Sequence, residues 1–159
     1  MALKGSRYEL YTDIQNFMAS TAERGGIAVV STVGSGATLD QSAQLVTYAA
    51  NSSGQSPRGI LLNDMVNIDQ TRQHINWHRD EVNLGGKVTL GRKGFWVTNM
   101  IVGTPTKGDI AVLTSSGYIM PVTNANVNNG TWNKANNPYV GRFDSILDED
   151  GFAQVNIEL

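Results

Sequence analysis

The last nine residues, Gly151–Leu159, read "GFAQVNIEL" and constrain the fold more than any other stretch. Ala153, Val155, Ile157 and Leu159 fall on one side of an extended chain, and Gln154, Asn156 and Glu158 on the other. A repeat of two is the signature of a strand with one buried face, and no helix satisfies it. Because the apolar residues continue to the last position, this strand must be docked against a core. "DEDG" before it supplies the turn that lets the chain enter the strand.

Other short runs rich in β-branched and aromatic residues lie between glycine- and asparagine-rich breaks. They include "GGIAVVSTV" (25–33), "AQLVTYAA" (43–50), "GILLNDMVNI" (59–68) and "GGKVTLGRKGFWVTNMIVG" (85–103). The last contains two strand-like pieces separated by glycines, with Trp96 expected in the core. "GDIAVLTSSGYIMPV" (108–122) reads as a hairpin, strand–turn–strand. At the N-terminus, "YELYTDIQNFMAST" fits a helical stripe through Tyr11, Ile14, Phe17 and Met18 and also an alternating strand. Its β-rich context favours the extended form. The expected fold is therefore all-β, a small β-barrel or β-sandwich, with residues 25–159 as one domain and residues 1–24 as an N-terminal arm or an added part of that domain.

The chain has 159 residues, enough to bury a sizeable core. It contains no cysteine, which excludes disulfides, thiolate metal sites and cysteine nucleophiles. Charged residues make up 16%, against roughly 25% in an ordinary soluble domain, so the surface is polar but weakly charged. The net charge of −2 and the interleaving of Arg72, Arg79, Lys87, Arg92 and Lys93 with Asp80 and Glu81 give no basic field for nucleic acid. No apolar run is long enough to span a membrane as a helix, and "MALKGSRYEL" lacks the apolar stretch of a signal peptide. A product made and retained in the cytoplasm, or released without secretion, is the expectation.

Three stretches invite a chemical reading. His74 and His78, the two histidines, lie four apart in "HINWH". The zinc-protease pattern requires glutamate after the first histidine, and here Ile75 stands in its place. On a strand the two would be separated by roughly 13 Å, too far for one ion. "VVSTVGSGAT" lacks the third glycine of a dinucleotide loop, with Leu39 at that position, and reads as a turn. "LDEDG" leads into a strand where a calcium loop would continue to a spaced glutamate. No G-x-S-x-G elbow occurs. The sequence thus points to no enzyme, no cofactor and no metal. Its remaining candidates are aromatics for partner contact: Tyr8, Tyr11 and Phe17 in the N-terminal segment, and Trp132 in the asparagine-rich stretch "NANVNNGTWNKANNPY".

The segments "TAERGGIAVVST", "LVTYAANSSGQSPRGILLNDMVN", "GGKVTLGRKGFWVTN" and "VGRFDSILDEDGFAQVNIEL" resemble the decoration (cement) proteins of tailed-bacteriophage heads. The resemblance extends over about residues 8–159 and rests on long stretches in order, with no catalytic signature. It implies a small β-rich protein on the outer surface of the virion head, bound to the major capsid protein, and a homotrimer with a dimer as the alternative. It brings no catalytic residues. The competing readings are a carbohydrate- or host-surface-binding module, which would gather its aromatics in one cleft, and a small metal hydrolase built on His74 and His78.

Overall fold

In a computed structural model of the chain, residues 3–20, 22–31, 44–62, 81–82, 84–123 and 132–159 are described. The fold is all-β, a closed five-stranded barrel extended by outer strands. Among the described residues, eleven strands run in chain order: β1 (Leu3–Met18), β2 (Ala22–Glu23), β3 (Ile27–Val30), β4 (Gln44–Thr47), β5 (Pro57–Leu62), β6 (Glu81–Val82), β7 (Lys87–Thr98), β8 (Ile110–Leu113), β9 (Ile119–Val122), β10 (Tyr139–Phe143) and β11 (Ala153–Glu158). Nine form one sheet in the order β1-β4-β3-β5-β7-β11-β10-β8-β9, and a further β1–β7 pairing closes the first five into the barrel. Strands β2 and β6 make a separate two-stranded ribbon.

The apolar runs "IAVV" and "GILL" are continuous because their strands are covered on both faces. Ala28 and Leu61 enter the barrel interior with Met18, Val46, Val88 and Leu90. Their neighbours Ile27, Val29, Ile60 and Leu62 point outwards, into a second core against β8–β11. That second core holds Trp96, Phe143, Ala153, Val155 and Ile157. The alternation of the C-terminal segment is thereby realised: Ala153, Val155 and Ile157 are buried, Gln154 and Asn156 half-exposed. Asp148 shapes the turn before it, its Oδ1 accepting the backbone N–H groups of Asp150 and Phe152. The expected 108–122 hairpin is also present, with Ile110 opposite Val122 and Leu113 opposite Ile119.

Strand β7 is shared by both halves. On one edge it pairs first with β5 (Leu62↔Thr89 to Ile60↔Gly91) and then with β11 (Glu158↔Lys93 to Ala153↔Thr98). Here the reading of 85–103 as two strand-like pieces needs correction, since Lys87–Thr98 is one continuous strand. Its glycines mark a change of face. Leu90 points into the barrel, yet Trp96, an even number of residues on, packs in the outer core. The β1–β7 register steps from Thr12↔Gly91 to Tyr11↔Lys93, skipping Arg92, and this bulge reverses the alternation. Gly94 has φ 138°, and a Cβ there would overlap the carbonyl oxygen of Tyr8. Glycine inside a strand here marks close backbone approach.

The N-terminal segment is extended, as its context suggested. It is also integral to the sheet: β1 runs antiparallel along β7 from Leu3↔Thr98 to Phe17↔Lys87, and Asn16–Met18 pair in parallel with β4. Strand β1 thus contributes to the barrel itself.

Candidate functional site

The longest exposed apolar run among the described residues lies on β1. Tyr8, Leu10, Tyr11 and Ile14 are each more than half exposed (54%, 58%, 54% and 55%). In an ordinary strand of this length, one face would be buried. Here β1 beyond the barrel has β7 on one edge and, among the described residues, no strand on the other.

Local contacts hold the stripe in shape. The ring of Tyr8 stacks on Phe95, its cross-strand partner, at 5.8 Å between centroids and 23° between planes. The guanidinium of Arg92, the bulged residue, lies 5.6 Å from the centroid of Tyr11. The Nε of Arg7 is 2.7 Å from Glu9 Oε1, and Arg58 Nη2 donates to Asp13 Oδ2 at 3.0 Å. At the start of the strand, Leu3 is buried in the outer core, and Lys4 Nζ donates to Asp148 Oδ2 at 2.6 Å. The same ammonium sits 4.3 Å from the centroid of Phe152. The hydrogen bond from Lys4 holds the Asp148 carboxyl below its usual range, assisted by the N–H of Phe152.

The four aromatics singled out in the sequence occupy three regions. Tyr8 and Tyr11 are on the exposed stripe, whereas Phe17, half-buried, stands where β1 enters the barrel between Leu45 and Lys87. Trp132 packs on Ile110, Val112 and Val122 with Met120 and Tyr139, and its Nε1–H donates to the carbonyl of Asn137 at 2.9 Å. Burial, with Glu158 next to it, raises the Tyr139 phenol above its ordinary range. Leu10, Ile14 and Phe95 complete the stripe and were not singled out in the sequence. The adjacent pair Leu10-Tyr11, which cannot share a face of a regular strand, is the signal that both sides of this segment carry apolar groups.

His74 and His78 lie outside the described residues, as does the "GSGA" turn. Among the described residues, no three histidine, cysteine, aspartate or glutamate side chains are grouped to hold a metal ion. A depression of about 410 Å³ is lined, among the described residues, by Met18, Ala19, Ser31, Leu45, Thr47, Leu84 and Gly85, none of them titratable. No described helix is long and apolar enough to cross a membrane. No family model matches the chain, and no curated protein sequence matches it.

Proposed function

We propose that this chain is a structural protein of the virion, a cement protein that binds the outer surface of a tailed-phage head and ties neighbouring major capsid proteins together. The observation that carries this reading is the exposed run Tyr8-Leu10-Tyr11-Ile14 on a strand fastened into the barrel. Exposed apolar groups in this density mark a surface meant to be covered. Aromatic side chains offer large contact areas at low entropic cost. The sequence resemblance supplies the partner and the location, and it implies assembly as a homotrimer, with a dimer as the alternative. Each copy would bury area on more than one capsid subunit, so multivalency would strengthen the shell beyond any single contact.

The distribution of the aromatics supports this over the carbohydrate-binding alternative. Tyr8 and Tyr11 lie along β1, while Trp132 and Tyr139 pack on the β8–β9 hairpin. A sugar cleft would bring them together. The test is co-sedimentation of purified protein with expanded, undecorated phage heads, beside a Tyr8→Ser/Tyr11→Ser variant. Saturable binding at a fixed ratio to capsid subunits, weakened in the variant, is the expected result. Wild-type protein that binds no such shell overturns the reading.

A further inference from the structure

The fastenings of β1 are unevenly distributed. Its C-terminal end is fixed on both edges: Asn16, Phe17 and Met18 pair with β4, and Asn16 and Phe17 with β7. Met18 is fully buried, and its N–H donates to the carbonyl of Gly86 at 3.0 Å. The N-terminal part is paired on the β7 edge alone; beyond that ladder it is held by one buried side chain, Leu3, by the exposed clasp of Lys4 on Asp148 with Asp150 3.9 Å away, by the Tyr8–Phe95 stack and by the Arg58–Asp13 bond. Residues 5–11 between them are exposed, and the pairing with β7 is broken by four register shifts. Of residues 3–14 only Leu3 is buried, and lifting them would also take the Tyr8 ring off Phe95. It would still leave β7 secured along its other edge by β5 and β11.

We infer that residues 3–14 form a strap that opens as a unit while the barrel stays closed, with Leu3 and the Lys4–Asp148 clasp as its catch. Regions with few buried contacts open locally at a fraction of the global cost, in contiguous units. The strap fits that description, and the residues that close the barrel, Asn16–Met18, do not. The opening itself does not depend on the proposed function. Its use does: on the cement reading, a released strap lets the apolar stripe follow the capsid surface beyond the contour of β7.

Native-state hydrogen exchange followed by mass spectrometry on the full chain tests the inference. The strap amides bonded to β7 should exchange at least tenfold faster than those of β5 and β11. Leu3→Ala should accelerate the strap by roughly tenfold or more, the scale of a lost core leucine, and leave β5 and β11 unchanged. Lys4→Ala should accelerate it roughly two- to fivefold, the scale of an exposed ion pair, with Lys4→Arg restoring the wild-type rate. Strap amides exchanging at the rate of β11, or Leu3→Ala accelerating every strand by one common factor, would overturn it. Neither result bears on whether the protein sediments with phage heads, so the two readings fail separately.

Discussion

Replacing Tyr48 by phenylalanine isolates the polar tie that joins three elements of the barrel end. The Tyr48 hydroxyl accepts the N–H of Gly26 at 2.9 Å and donates to the carbonyl of Glu23 at 2.6 Å. Its ring lies against Gly26 and Gly117, where an added Cβ would come within 2.8 Å of the ring or its hydroxyl. Phenylalanine keeps the ring and removes both hydrogen bonds. Glu23 is exposed, so water can replace its partner; Gly26 is buried, so its N–H is left unsatisfied. One buried orphaned donor costs about 1–3 kcal/mol. At roughly 2–4 °C per kcal/mol for a chain of this size, Tm should fall by about 2–12 °C. The pH profile gives a second readout. Burial raises the Tyr48 phenol above its ordinary 10.0, so the folded state favours the protonated form. That contribution is complete below pH 10 and is lost as pH rises through the folded value, so the wild type should lose stability on the alkaline side. Tyr48→Phe should flatten that limb. Urea and thermal unfolding across pH 7–11, with Tyr118→Phe as an exposed control, measure both. A loss under about 0.5 kcal/mol together with an unchanged alkaline limb would refute the reasoning, because the hydroxyl would then have no net role.

Asn16 is 1% exposed, and among the described residues neither of its amide atoms finds a hydrogen-bond partner, so Asn16→Leu should raise the unfolding free energy by about 1 kcal/mol, read as a higher urea midpoint; an unchanged or lower midpoint would mean that the amide has a partner in solution. Ile157→Ala should cost about 2–5 kcal/mol in unfolding experiments, whereas Ile146→Ala, 65% exposed in the wild type, should stay within about 0.5 kcal/mol. Gly94→Ala combines a left-handed φ with overlap on the Tyr8 carbonyl, so it should cost clearly more than Gly151→Ala, where φ is positive and the space is open; equal midpoints would remove the close approach from the explanation. Asp148 lies below its ordinary 3.8 through its bond from Lys4, so its stabilisation is present above that value and disappears as pH falls through the folded value; melting curves from pH 2 to 6 should show wild type and Asp148→Asn converging in acid.

Sequence periodicity was informative wherever one face of a strand is buried and the other wet, as at Ala153–Leu159. It located the 108–122 hairpin for the same reason. It could not divide "IAVV" and "GILL" between two cores, because a strand covered on both faces shows no alternation. The continuity of β7 was hidden because Gly91 and Gly94 resemble breaks until β1 is laid beside them. The exposed stripe is half legible: Tyr8 and Tyr11 stand out as aromatics, but whether Leu10 and Ile14 are covered depends on which elements pack over β1, and that is set by the tertiary fold. The asparagine-rich stretch around Trp132 offers it little to pack on, and its neighbours Ile110, Val112 and Val122 precede it in sequence.

The β1–β7 pairing also sets a timetable for folding. Leu3 pairs with Thr98, and every registered β1–β7 pair joins residues about 70–95 positions apart. At roughly 5–20 residues per second, the first strand waits several seconds after synthesis before its partner is made. During that interval Tyr8, Leu10, Tyr11 and Ile14 belong to a nascent chain that cannot close its barrel. Non-local pairing of this kind slows folding towards the millisecond-to-second range even after the chain is complete. The apolar residues left exposed on β1 in the folded chain are therefore also exposed to aggregation and to chaperones throughout that interval.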